Sequence, residues 1–182
     1  MHHGMKTEQI DCILGKTYHH DQIPAHFLGV YARDKIPLPL TKYPGCFVAN
    51  TDRTGQPGEH WVAFYQKSRA SPIEFFDSFG LSPEMYNFTL DSFVHNTVAL
   101  QGTNSRVCGQ YCILYLIHRP LHPSKESIIK WLASHGKSYA ERDANIDMLV
   151  HHHKFYPPAP TCDPTDSHAQ CCVSYEELNL FK

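Results

Sequence analysis

Gln101-Gly102-Thr103-Asn104-Ser105-Arg106-Val107-Cys108-Gly109 runs directly into Gln110-Tyr111-Cys112-Ile113-Leu114-Tyr115-Leu116-Ile117-His118, and this passage sets the reading of the whole chain. Residues 108–118 are apolar on almost every side, the mark of a helix buried at the centre of a domain rather than laid on its surface. Pro120 and Pro123 stop it. Gly102 to Arg106 has the composition of a loop. Cys108 therefore stands where a loop meets the first turn of a buried helix, and Gln101 lies seven positions upstream.

Outward from that helix, three runs on its N-terminal side read as strands. They are Gly45–Asn50, His60–Tyr65 and Ile73–Asp77, each rich in aromatic and branched residues and separated by Gly, Pro, Ser and Asp. Thr97–Gln101 is expected to add a short strand. Residues 5–16 carry Ile10, Ile13 and Leu14 on one helical face, and 83–95 are expected to be helical. Ile23–Tyr31 reads as a turn into an irregular apolar segment. On the C-terminal side, Ser124 caps a helix to about His135, with Ile128, Ile129 and Leu132 along one face. A further helix is expected over 139–153. The fold class is α+β: a small mixed or antiparallel sheet packed on the buried helix that Cys108 opens, with further helices around it. The Pro157-Pro158-Ala159-Pro160 run divides a domain over 1–156 from a tail over 157–182 that contains Pro and Cys.

The 182 residues are 42% hydrophobic and 19% charged, which suits a folded domain with a sizeable core. A formal charge of −2 is not the footprint of a strongly basic nucleic-acid binder. No run approaches a membrane span, and residues 1–6 lack the apolar stretch of a secretory signal. An intracellular protein is expected. The seven Cys, an odd number, read as reduced thiols rather than a disulfide framework.

The chemistry follows from three pieces. A thiol must ionise to act as a nucleophile, and a helix N-terminus favours the anion. The Cys108 N–H and the Gln101 amide can both donate to a developing oxyanion, and Arg106 adds positive potential. His60, in Glu59-His60-Trp61, is the candidate base. Asp77, in Phe75-Phe76-Asp77-Ser78-Phe79-Gly80, can accept from the other imidazole nitrogen and orient the ring. Trp61 offers an aromatic face to shield the pair, and Gly109 is expected to leave the backbone open to a substrate. Taken singly each residue has a plainer explanation: a Cys opening an apolar helix is usually core, His-Trp on a strand is usually packing, and Asp before Ser-Phe-Gly is usually a turn residue. Their joint occurrence, at strand and helix ends in the order His, Asp, Gln, Cys, points to a cysteine peptidase.

At these residues the chain resembles the adenovirus-type cysteine proteases. Phe27-Leu28-Gly29-Val30-Tyr31 matches the family's Phe-Leu-Gly-x-Tyr, and Gly58-Glu59-His60-Trp61-Val62-Ala63-Phe64 its Gly-x-His-Trp-x-Ala-Phe. Phe76-Asp77-Ser78-Phe79-Gly80 stands at its Phe-Glu-Pro-Phe-Gly, and 101–109 match its Gln-Gly-x-Asn-Ser-x-x-Cys-Gly. The resemblance runs from about residue 23 to 120. It implies His60 as base, Asp77 as its partner, Cys108 as nucleophile and Gln101 in the oxyanion hole. Asp77 replaces the family's Glu with a carboxylate one methylene shorter. The resemblance further implies a monomeric endopeptidase that cleaves structural precursor proteins of virions or capsids at Gly-containing sites. Its setting would be the nucleus or cytoplasm, or a packaged virion, in a virus or a large self-replicating DNA transposon. Activation by a DNA cofactor and by a short viral peptide, disulfide-linked ahead of the oxyanion Gln, is also a family trait. Residues 81–100 contain no Cys and the charge is near neutral, so no cofactor is expected to be required.

Two other readings compete. A deconjugating protease for ubiquitin-like modifiers such as SUMO would share the fold and the chain order. The loop from Gln101 to Cys108 is one residue longer than such enzymes use and lacks their Asp before Cys-Gly. A non-enzymatic binding module would draw on His151, His152, His153, Cys162, His168, Cys171 and Cys172 as zinc ligands, yet their spacing lacks the paired Cys-x2-4-Cys pattern of zinc sites. No metal is expected.

Overall fold

The computed structural model describes residues 4–20 and 23–151. Its elements in chain order are α1 (Thr7–His20), β1 (His26–Tyr31), β2 (Gly45–Asn50), β3 (Trp61–Gln66), β4 (Ile73–Phe76), β5 (Phe93–His95), α2 (Cys108–His118), α3 (Lys125–Ala133) and α4 (Tyr139–His151). The strands form one sheet in the order β1-β2-β3-β4-β5. The β2–β3 and β3–β4 pairs are antiparallel, whereas both edge strands, β1 on β2 and β5 on β4, pair in parallel. The protein is thus α+β with a mixed sheet. Among the described residues no helix is long and apolar enough to cross a membrane.

Every residue of β2 and β3 is buried, because both faces of the sheet are covered. On one face Cys46, Val48, Ala63, Tyr65 and Phe76 pack with α2, which is buried from Cys108 through Ile117, and with Ile10 and Leu14 of α1. On the other face Phe47, Val62, Phe64 and Phe75 are covered by Leu40 and Phe88 from connecting segments. Phe76 stacks on Tyr115 with centroids 4.2 Å apart, and Phe47 stacks on Phe64 at 4.4 Å. A helix sealed by a sheet in front and by α1 and α4 at its sides has no solvent face, which is why its sequence shows no polar stripe.

The helices over 108–118 and 124–135 lie where the periodicity puts them, and the Ser124 hydroxyl accepts from the Ser127 N–H. Three segments differ. Helix α1 runs on to His20, past the expected end at 16, and its Tyr18 hydroxyl donates to the Leu116 carbonyl at 2.6 Å. Residues 26–31 are a strand, not irregular: parallel pairing with β2 tolerates a register shift between Phe27 and Val30, at a positive-φ Gly29. The expected helix over 83–95 is instead a 3-10 turn, Pro83–Tyr86, closed by left-handed Asn87, and then strand β5. Residues 97–101 form no strand. The Leu100 and Gln101 N–H groups both donate to the Ser78 carbonyl, at 2.8 and 3.0 Å, which ties the segment to the turn after β4. Part of the 139–153 helix and the whole 157–182 tail lie outside the described residues.

Candidate active site

His60 immediately precedes β3, and its carbonyl accepts from the Thr51 N–H at 2.9 Å, so the β2–β3 ladder still holds its backbone. Its ring is buried, with Nε2 2.6 Å from Asp77 Oδ1. The remaining nitrogen, Nδ1, is the one left for the Cys108 thiol, which lies in the same cleft and acts on the charge of the ring. Phe79 stacks against the imidazole at 4.9 Å and Tyr86 lies tilted at 5.5 Å. Burial alone would push this imidazole down. The hydrogen bonds to Asp77 and Cys108, with the negative charge of both groups, override it and lift His60 to about 9.

Asp77 follows β4 and is fully buried. Its Oδ1 also accepts from the Phe79 N–H (3.1 Å). Its Oδ2 accepts from the Leu81 N–H (2.9 Å) and the Tyr86 hydroxyl (3.0 Å). Asn96 clamps the Asp77 backbone from both sides, accepting from its N–H at 3.0 Å and donating to its carbonyl at 2.7 Å. A buried carboxylate with this many donors is compensated as an anion and fixed in direction. Burial, then the nearby Asp77 charge, pushes the Tyr86 phenol well up, which keeps it a donor.

Cys108 is the first residue of α2 and is almost fully buried. Val107 before it offers no side-chain cap and the first turn holds no acid, so the helix N-terminus acts on the thiol undiluted. Gln101 lies in the same cleft. Its Oε1 accepts from the Ser78 hydroxyl at 2.7 Å and its Nε2 donates to the Ser105 carbonyl at 2.9 Å. A Gln amide has two N–H groups, so one remains after that bond.

His60, Trp61, Gln101, Arg106 and Cys108 line a single cleft of about 1070 Å³, together with Tyr31, Phe79 and Met5. The Trp61 indole is buried and donates to the Met5 carbonyl at 2.9 Å, fastening the segment before α1 to the cleft wall. Gly109 faces elsewhere. A Cβ at that position would come within 3.1 Å of Met5 Cβ and 3.2 Å of Ile10 Cδ1, so the missing side chain lets the N-terminal segment close on α2 instead of opening the backbone to the cleft. Ser78, Tyr86 and Asn96 carry no sequence signal of their own; each matters through a hydrogen bond across the fold. Ser78 is the most readable of them, being adjacent to Asp77. Of the suggested zinc ligands, His151 sits 3.0 Å from Asp147, the others lie outside the described residues, and no group able to hold a metal occurs among the described residues.

Comparison with known proteins places these residues in context. The sequence model of the adenovirus endoprotease family matches residues 27–135, a stretch containing all four motifs and the whole cleft apart from its N-terminal wall. The chain is 29% identical over 119 residues to a protease of human adenovirus B serotype 3, covering 53% of each chain. It is 29% identical over 113 residues to a protease of bovine adenovirus 2, covering 52% of this chain and 55% of that one. With the protease of bovine adenovirus B serotype 3 the identity is 27% over 111 residues, half of each. The chain spans about half the length of the curated relatives it matches. Matched over more than half of its own length, it belongs to the adenovirus endoprotease family.

Proposed function

We propose that the chain is a cysteine endopeptidase of the virion- or capsid-maturation type. The observation that carries this is the meeting of Cys108, His60 and Gln101 in one cleft, with His60 bonded at 2.6 Å to the fully buried Asp77 behind it. The Cys108 thiolate attacks the scissile carbonyl. Its own N–H and the unused Gln101 amide N–H hold the oxyanion. The imidazolium of His60 protonates the leaving amine, and water, deprotonated by His60, then hydrolyses the thioester. Asp77 holds the ring and stabilises its charge throughout. Trp61 and its bond to Met5 close one side of the cleft against water.

The substrates in this reading are structural precursor proteins cut at Gly-containing sites by a monomeric enzyme inside the cell or the packaged particle. DNA or an activating peptide would bind as an accessory, not as part of the chemistry. The test uses a fluorogenic peptide with a Leu-x-Gly-Gly site and a SUMO-type modifier fused to a C-terminal reporter, each with Cys108→Ala as control. Peptide cleavage without modifier release is expected. Efficient release of the modifier would replace this reading with the deconjugating one, and Cys108-independent cleavage would end both.

A further inference from the structure

Gln101 sits in a stretch with no strand partner, so something other than a sheet ladder must hold it. Two consecutive residues of α4 do so. Arg142 donates through Nη1 to the Leu100 carbonyl at 2.9 Å, and Asp143 accepts from the Gly102 N–H through Oδ2 at 2.9 Å. The first bond fixes the peptide plane before Gln101 and the second fixes the plane after it. Together they set both backbone dihedrals of that residue.

The anchor is itself fixed. Asp143 is 7% exposed, and its other oxygen accepts from the buried Tyr111 hydroxyl of α2 at 2.9 Å. Burial and then the Asp143 charge push that phenol well up, keeping it a donor. Arg142 also donates to the carbonyls of Ala133 and Gly136, both at 3.1 Å, which bolts α4 to the end of α3. Gly102 permits the approach: a Cβ there would come within 3.1 Å of Asp143 Oδ2 and 3.3 Å of Tyr139 Cβ. Helix α4 begins at Tyr139, beyond residue 135 where the family match ends.

We propose that Asp143 is a positioning residue for the oxyanion amide, acting through the Gly102 peptide to hold Gln101 at the thiol. The proposal rests on the peptidase reading above. It makes the oxyanion hole depend on a helix outside the matched region that contributes no residue to the cleft lining.

The experiment compares the full chain with Asp143→Ala and Asp143→Asn, alone and in a Gln101→Ala background. Three quantities are read: peptide cleavage, affinity for a peptide aldehyde that forms a tetrahedral adduct with the thiol, and the rate of Cys108 alkylation by iodoacetamide. Alkylation needs a reactive thiol but no oxyanion hole. The expected result is a fall in kcat of roughly tenfold to a hundredfold, a fraction of the effect of deleting an oxyanion donor outright. KM should move far less. Aldehyde affinity should fall with kcat, and alkylation should hold at the wild-type rate. In the Gln101→Ala background the Asp143 substitutions should add less than about twofold. Should Asp143→Ala not fold, as urea unfolding would show, Asp143→Asn supplies the result, since it keeps the volume and one acceptor. Unchanged kcat, alkylation that falls in step with kcat, or an undiminished effect without Gln101 would each overturn the proposal. A wild-type chain that neither cleaves peptide nor binds aldehyde would overturn the peptidase reading and this one with it. A cleaving wild type with unimpaired Asp143 variants would overturn this one alone.

Discussion

On the β3–β4 side of the cleft, His60 and Asp77 adjoin the ends of hydrogen-bonded strands, and Asp77 is gripped by two backbone N–H groups, a tyrosine and the His60 ring. On the opposite side, Gln101 has no strand neighbour. Its side-chain oxygen is held by one hydroxyl, from Ser78, and its backbone by Ser78, Arg142 and Asp143. The side proposed to hold the base is redundant and lies in the sheet. The side proposed to hold the oxyanion grips the Gln101 side chain by two bonds, to Ser78 and Ser105, and its backbone through α2, α4 and the turn after β4. Damage to one contact should therefore be absorbed on the first side and felt on the second.

The largest effect should come where the two sides meet. Cys108→Ala should lower peptide cleavage by on the order of 10⁴-fold or more while leaving thermal unfolding nearly unchanged, because a buried Ala fills almost the same space. It should also lower the His60 pKa from about 9 toward its ordinary 6.5, since it removes one of the two groups that hold it up. An NMR titration of the imidazole in both proteins checks this. A His60 that stays at about 9 would show that Asp77 alone governs the base side.

Asp77→Asn should come next, costing kcat by roughly 10²- to 10⁴-fold, because it removes the charge that stabilises the imidazolium and favours the wrong ring tautomer. It should also destabilise the fold, since an Asn NH₂ would face donors wherever it turned. A loss equal to that of His60→Ala in steady-state kinetics would mean that Asp77 does more than orient.

The same pair gives the fold a pH dependence. The folded state holds the His60 proton up to about 9, and the unfolded chain releases it near 6.5. The associated stabilisation is fully present below about 6.5 and is lost as pH rises through 9, a change on the order of 3 kcal/mol. Urea unfolding at pH 6 and pH 9.5 should show it. Cleavage should fall over the same alkaline range as the imidazolium that protonates the leaving amine disappears.

The smallest pair of effects separates the two sides most cleanly. Ser78→Ala strips from Gln101 Oε1 the hydroxyl it accepts from and should lower kcat by about tenfold, between a lost hydrogen bond and a lost oxyanion donor. Tyr86→Phe removes one of several donors to Asp77 and should cost no more than about 1 kcal/mol of stability, with kcat within about threefold. If kinetics ranked Tyr86→Phe above Ser78→Ala, the redundancy ascribed to the base side would be illusory.

The parts legible in the sequence are those set by local pattern. Cys108–His118 reads as a buried helix because every position up to Ile117 is buried, and β2, β3 and β4 read as strands from their apolar runs. His60, Asp77 and Cys108 lie at the ends of those elements, whereas Gln101 was read at the end of a strand that does not form. What escaped depends on distant partners. The edge strands β1 and β5 exist because a neighbour pairs with them, against the local signals of Pro24, Gly29 and the 83–95 pattern. Tyr86, Asn96 and Asp143 act through hydrogen bonds whose other ends lie 9, 19 and 41 positions away. No spacing rule connects such pairs.

The bond from Trp61 to the Met5 carbonyl spans 56 residues. Closing a span of that length costs chain entropy before any contact offsets it. The sheet's central strands can pair across short turns well before the N-terminal segment is drawn in over Gly109. This part of the cleft wall is then among the last pieces to assemble and the first to open. Under the peptidase reading, the cleft can lose its substrate-binding shape by fraying at the segment before α1 while the core stays folded, so gentle heating should cost affinity for a peptide before it costs structure.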